Sequence, residues 1–302
     1  MSPASRKQTV RYVKEKLGYS ERKICQAIGQ NRATQRYELK MPQKDMVLIE
    51  AIKVQKDKRK HYRYGYRRIL RILRRIGWII NHKRIYRVWR QEGFMLKKKQ
   101  RRHKQHTGGR GENACDQRPA EYMNHIWSYD IIEDKLERGR KVRILNIIDE
   151  FTRESLSVDA GFRVTGYDVT EVLRYLFNVR GAPAYIRSDN GPEFINRQVK
   201  KFLADSGVDT LYIEPGSPWE NGYAESFNSK FRDELLNGEL FLHIDELRYV
   251  VERWRMDYNH YRPHSSLSYM TPAEFAKLCV DVGCVRMPKE AKLQEILSQR
   301  LD

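Results

Sequence analysis

The sequence predicts an α/β protein: a mixed β-sheet covered by helices, preceded by basic all-α segments. Three observations carry this. From about residue 122, apolar runs of strand length alternate with stretches of helical spacing. Before that point, apolar residues recur at helical spacing among arginines and lysines. The charge is also split. Residues 1–119 carry a net +25 and residues 120–302 a net −6, which together make the +19 of this 302-residue chain. A basic half joined to a mildly acidic half implies a polyanion-binding module tethered to something else. A merely solvated basic surface is the weaker alternative, because such self-repulsion calls for an anionic partner.

Residues 1–42 form the first expected segment, built of short helices. Ser20 suits the N-cap of a helix over 21–28, and Gly29 suits its stop. Asn31 caps a second short helix, residues 32–37. This spacing predicts a helix-turn-helix whose second helix offers Arg32, Thr34, Gln35 and Arg36 to base edges or phosphates. An ordinary helical hairpin is the alternative.

Residues 43–96 form a second helical DNA-binding (helix-turn-helix) domain. From Tyr66 to Ile76, Ile69, Leu70, Ile72, Leu73 and Ile76 share one helical face between arginines. After Gly77, Asn81 caps a helix that turns Ile85, Val88 and Trp89 inward, and Gly93 ends it. Lys83, Arg84, Arg87 and Arg90 share the opposite face, as in a helix laid along DNA; a membrane-surface amphipath is the alternative. Residues 97–121 lose all periodicity and form a basic linker. His103, His106 and Cys115 lack a fourth ligand nearby for a structural zinc site. The four cysteines form no CxxC pair, which fits a reducing, cytoplasmic location. No signal peptide or membrane-spanning run is present, and no membrane partner is expected.

Residues 122–240 carry the sheet. Strands are expected at 126–132, 142–149, 152–160, 184–188 and 210–213, with helices at 169–177 and 194–206 and a long helix after 217. Residues 241–302 form a C-terminal helical extension.

Three acids in this region stand out: Asp130 inside the first strand, Asp189 at the end of the fourth, and Glu225 on the long helix, with 35 residues between the last two. Ser217-Pro218-Trp219-Glu220 is a capping box with proline at the first helical position, which places Glu225 about two turns in. Asn221, Gly222, Asn228 and Arg232 then share its face, while Ala224, Phe227, Phe231 and Leu235 pack on the sheet. Such a face suits DNA, with Asn221, Asn228 and Arg232 as contacts. Three carboxylates suit a pair of Mg²⁺ ions about 3.5–4 Å apart, the arrangement that activates water and stabilises a leaving oxygen in phosphodiester cleavage. Asp130 is the expected bridge, with Asp189 on one ion and Glu225 on the other. Each acid alone has a plain explanation as an edge, turn or surface residue; jointly those explanations fail. Among nearby acids, Glu220 belongs to the capping box and Asp149 to a tight turn.

These residues reach a known family. Trp127–Asp130, Ser188-Asp189-Asn190-Gly191-Pro192-Glu193-Phe194 and Glu220–Phe227, with Arg232 seven positions after Glu225, closely resemble the catalytic core of retroviral-integrase-like (DDE) transposases. More closely, the chain resembles the second-frame (OrfB) product of insertion-sequence family three, to which Tyr258-Asn259-His260-Tyr261-Arg262-Pro263-His264-Ser265-Ser266-Leu267 and Thr271-Pro272 are also similar. The resemblance implies an RNase H-like five-stranded mixed sheet, Mg²⁺-dependent DNA cleavage (with Mn²⁺ able to substitute) and 3′-hydroxyl strand transfer. It implies terminal inverted repeats and target DNA as partners, an upstream-frame OrfA product or fusion, and a homo-oligomer at least dimeric. A catalytically lapsed DNA-binding regulator and an RNase H-type nuclease are the alternatives.

Overall fold

The computed structural model describes residues 3–37, 43–58, 63–95, 118–189, 191, 193–194, 196–213 and 221–281. The linker residues His103, His106 and Cys115, the capping box 217–220 and the C-terminal stretch from 282 lie outside these. The chain divides into two compact units after Glu50.

The first unit holds α1 (Pro3–Leu17), α2 (Glu21–Ile28) and α3 (Arg32–Arg36) around buried Val10, Ile24 and Cys25. The opening helix is long, not short as expected. Gly29 ends α2 in the left-handed conformation, with φ of 63°, where a Cβ would strain the backbone. The Asn31 side chain accepts from Ala33 N at 2.8 Å and so caps α3. Ser20, expected to cap α2 in the same way, makes no such bond.

The second unit begins within α4 (Gln43–Asp57) and continues with α5 (Tyr66–Arg75) and α6 (His82–Gln91). Ile69, Leu70 and Leu73 of α5 and Ile85, Val88 and Trp89 of α6 are buried together with Ile52. Ile76, expected on that face, is 56% exposed because α5 stops one residue earlier. Asn81 caps α6 through Lys83 N at 2.9 Å.

The catalytic region is a five-stranded sheet in the order β3-β2-β1-β4-β5, from β1 (Ile126–Lys135), β2 (Lys141–Asp149), β3 (Ser155–Gly161), β4 (Tyr185–Ser188) and β5 (Asp209–Tyr212). β1, β2 and β3 run as an antiparallel meander, while β4 and β5 join parallel to β1. Parallel pairing requires a crossover, supplied by α7 (Gly166–Arg180) before β4 and α8 (Arg197–Asp205) before β5. Alternation along β2 explains why the sheet is covered on both faces. Ile144 and Ile148 meet Phe227 and Phe231 of α9 (Gly222–Glu234), whereas Leu145 and Ile147 meet Val169, Leu173, Val199 and Leu203 of α7 and α8. Each fully buried phenylalanine contributes about 1.5–3 kcal/mol relative to exposure, so α9 is held firmly.

α10 (Ile244–His260) adds Leu247, Val251 and Tyr258 to the α9 side. α11 (Pro272–Asp281) packs Phe275 and Cys279 on Ile126 and Phe151. Cys25 and Cys279 are buried. Among the described residues no helix is long and apolar enough to cross a membrane.

Candidate active site

The mid-strand position of Asp130 puts it opposite Asn146 of β2. Its Oδ1 accepts from Ile131 N at 2.8 Å and its Oδ2 from Asn228 Nδ2 at 2.5 Å. Asn146 Nδ2 in turn donates to Asn228 Oδ1 at 2.9 Å. This relay fixes which end of the Asn228 amide faces the acid, because the other end is already taken.

Asp189 directly follows β4 and is exposed. Its Oδ1 accepts from Gly191 N at 3.0 Å. A Cβ on Gly191 would meet that same oxygen at 3.0 Å and Glu193 Oε2 at 3.3 Å, so the glycine keeps the turn tight against the acid. Glu193 is held by the Arg143 guanidinium from β2. Burial pushes Glu193 up, but the Arg143 bond, a backbone N–H bond and the Arg143 charge together outweigh it and leave the carboxyl below its usual range.

Glu225 is exposed and lies in the first turn of α9, not two turns in. The helix starts at Gly222, with Asn221 as its cap residue. The positive end of the helix dipole therefore favours a negative charge at Glu225. Ala224, Phe227, Phe231 and Leu235 are all buried on the opposite side, as the spacing predicts.

The three acids act on one another. Burial pushes the Asp130 carboxyl up to about 6, and the negative charges of Asp189 and Glu225 push it the same way, against the bonds from Ile131 N and Asn228. The rival Asp149 is fully buried and accepts from the backbone N–H groups of Asn124, Phe151 and Thr152, which makes it a turn residue.

Several expected DNA contacts are placed differently. Asn221 is only 6% exposed and does not face outward, and its side chain makes no cap bond to α9. Asn228 is occupied by Asp130 and Asn146. Arg232 donates through Nη2 to Glu133 O at 2.8 Å. In the first unit, Arg32 and Arg36 both pair with Glu21, at 3.6 and 2.8 Å. Gln35 accepts from Gln30 at 3.2 Å and donates to Lys7 O at 3.4 Å, whereas Thr34 is exposed. On α6, Lys83, Arg87 and Arg90 are exposed and Arg84 is half-buried.

Three features escape a reading of the sequence: the Asn146 relay, the Arg143–Glu193 pair, and a buried Arg187–Glu150 pair in which Nη1 reaches the two carboxylate oxygens at 3.0 and 3.1 Å. The polar Asn146 between Leu145 and Ile147 in a buried strand is the one available signal.

Comparison with known families agrees with this architecture. A family described as an integrase core domain matches residues 120–218, a second of the same description matches 206–272, and an HTH-like domain matches 43–104. The chain is 36% identical over 264 residues to the insertion element IS407 uncharacterized 31.7 kDa protein of Burkholderia multivorans, covering 87% of this chain and 93% of that one. It is 35% identical to the insertion element IS476 uncharacterized 39.2 kDa protein of Xanthomonas euvesicatoria, covering 91% and 78%. It is 27% identical to the putative transposase InsK for insertion sequence element IS150 of Escherichia coli, covering 70% and 77%. With an HTH-like domain ahead of an integrase core built on a mixed five-stranded sheet, this chain belongs to the retroviral-integrase-like (DDE) transposases of insertion-sequence family three.

Proposed function

We propose that Asp130, Asp189 and Glu225 are the catalytic carboxylates of this transposase and that they work with Mg²⁺. The observation that carries this is placement: β4, which ends just before Asp189, pairs with β1, which holds Asp130, and Asn228, three residues after Glu225 on α9, donates to Asp130 Oδ2. A divalent cation would supply the counter-charge for three acids so placed. Among the described residues no three His, Cys, Asp or Glu side chains converge on one ion by themselves. Mg²⁺ takes oxygen ligands and keeps several waters, so one or two carboxylates per ion would serve. Asp130 would be shared between two ions, with Asp189 on one and Glu225 on the other. When bound, such a pair activates the attacking oxygen and stabilises the leaving one in an in-line displacement.

The protein's own groups orient this chemistry. Asn228 and Ile131 N fix the Asp130 oxygens, Gly191 N fixes Asp189, and the start of α9 supports the charge of Glu225. Hydrolysis at an element end leaves a 3′-hydroxyl. That hydroxyl then attacks a second phosphodiester, forming one P–O bond and breaking another. The partners are terminal inverted repeats and target DNA, with Lys83, Arg84, Arg87 and Arg90 of α6 and Thr34 of α3 on the DNA. Arg232, about two turns after Glu225 on α9, would serve the same strand. An upstream OrfA segment and a homo-oligomer, in the cytoplasm on the nucleoid, complete the assembly.

The test is direct. Asp130→Asn, Asp189→Asn and Glu225→Gln should each abolish Mg²⁺-dependent cleavage and joining of element-end oligonucleotides while leaving DNA binding intact. Wild-type cleavage by any one of them removes that acid from the site. Cleavage confined to RNA–DNA hybrids would favour a nuclease.

A further inference from the structure

A cavity of about 580 Å³ lies along the flank of α9 next to Glu225. Gly222, Ser226 and Lys230, spaced four apart, form its helical wall. Arg187 enters from β4, two residues before Asp189, so strand alternation aims both toward one face of the sheet. Arg118 comes from the segment before β1 and Arg153 from the turn between β2 and β3. Ser265 and Ser266 close the cavity from the α10–α11 connection. The cavity wall therefore includes Ser226, which follows Glu225, and Arg187, two residues before Asp189.

Among the described residues its wall contains four cations and no carboxylate. Glu150, behind the wall, pairs with Arg187. Arg153 Nη1 is buried without a hydrogen-bond partner, and its guanidinium sits 3.8 Å from the centre of the Tyr223 ring. Arg153 holds this place from a left-handed backbone, φ 65°, which an arginine adopts at a cost. Lys230 Nζ donates to Ser226 Oγ at 3.0 Å and to no carboxylate among the described residues. Burial pushes Lys230 down to about 8, and the charges of Arg262, Arg68 and Arg153 add to this against Glu234. Cations that face one another across a cavity repel strongly unless an anion lies between them. The exposed hydroxyls of Ser265 and Ser266 add donors at the rim.

We propose that this cavity binds a phosphodiester of the DNA strand that runs to the catalytic acids, with Arg153, Lys230 and the Ser265 and Ser266 hydroxyls as its ligands. The inference rests on the transposase reading for its choice of DNA. Its volume admits a nucleotide along with the phosphate, and its position beside Gly222 leaves the strand a short path to Glu225.

The experiment uses the full chain without divalent metal and a fluorescent DNA duplex with a single-stranded 3′ overhang. Affinity is measured against salt concentration for wild type, Lys230→Gln, Arg153→Asn and the exposed control Lys277→Gln. Asparagine tolerates the left-handed backbone at position 153. Lys230→Gln and Arg153→Asn should each weaken binding roughly tenfold and reduce the salt slope by about one, as expected for one lost phosphate contact. Lys277→Gln should do neither, and Lys230→Arg should bind as wild type. Inorganic phosphate at matched ionic strength should compete with DNA on wild type and less on Lys230→Gln. Folded Lys230→Gln and Arg153→Asn variants that keep the wild-type affinity and slope would overturn the proposal. So would phosphate binding that the substitutions abolish while DNA affinity stays unchanged, since the cavity would then serve a free anion. Because no metal is present, this outcome is independent of whether the three acids cleave DNA.

Discussion

Arg262 grips Glu234 inside the protein. Its Nε reaches the two carboxylate oxygens at 3.1 and 2.9 Å and its Nη2 reaches Oε1 at 2.6 Å, with side-chain exposures of only 1% and 8%. Arg68 of α5 approaches the same Oε1 at 3.3 Å. Glu234 is the last residue of α9, so one carboxylate ties the helix that carries Glu225 to the C-terminal segment and to the HTH-like domain. Removing its charge leaves a buried guanidinium unanswered, a defect that costs about 3–5 kcal/mol. Glu234→Gln should lower stability by that order in urea unfolding. Adding Arg262→Met should recover a large part of the loss; a double variant as unstable as the sum of its parts would mean the two residues are not coupled.

His264 supplies a pH dependence. Burial, then the facing cations Arg262, Lys230, Arg68 and Arg153, hold its imidazole well below the usual range. Arg262 Nη1 lies 3.1 Å from His264 Nε2 and can only donate, so the ring is neutral there. The unfolded chain takes up a proton near pH 6.5 while the folded one resists it. The contribution is therefore whole above that pH and lost as pH falls below it, by up to about 1.4 kcal/mol per pH unit. His264→Gln should flatten the decline in unfolding free energy between pH 7 and pH 5. Equal slopes for the two proteins would show that the ring titrates freely in the fold.

Asn228 makes a sharper test of the site. Its amide holds Asp130 Oδ2 and is itself oriented by Asn146. Asn228→Ala should leave DNA binding unchanged and lower the cleavage rate by about 10–100-fold, because small misplacements of a reacting group carry penalties of that size. Asn146→Ala should show the same pattern in milder form. A loss in KM alone would make Asn228 a DNA contact, as its place on the helix first implies.

What the sequence makes legible here is local. Asn31 and Asn81 announce their helices because an Asx cap acts within three residues. The inward face of α9 follows from the spacing of Ala224, Phe227, Phe231 and Leu235 alone. The start of α9 is harder: the capping box points to residue 218, whereas the described helix begins at Gly222, which moves Glu225 into the first turn. Partners across the fold are not legible. Asn228 meets Asp130 98 residues away, and Arg68 meets Glu234 166 residues away. Arginines that look available for DNA are thus partly consumed: Arg36 by Glu21, Arg63 by Asp233, Arg75 by Glu274. A charge count over residues 1–119 cannot separate those from the exposed set on α6.

Metal binding should be visible without any DNA. A ligand that binds only the folded state stabilises it by an amount set by its concentration over its dissociation constant, about 2.7 kcal/mol at a hundredfold excess. Burial, and then the charges of Asp189 and Glu225, push the Asp130 carboxyl up, so Mg²⁺ would relieve a repulsion as well as make new bonds. The unfolding temperature of the wild-type chain should rise with Mg²⁺ and saturate. Asp130→Asn removes one member of the repelling group, so it should match or exceed the wild type in metal-free buffer and gain little from Mg²⁺. Mn²⁺ should reproduce the wild-type shift at lower concentration, following the usual order of affinity for oxygen and nitrogen sites. If Asp130→Asn is stabilised by Mg²⁺ as much as the wild type, the metal binds elsewhere and the assignment of Asp130 as the shared ligand falls.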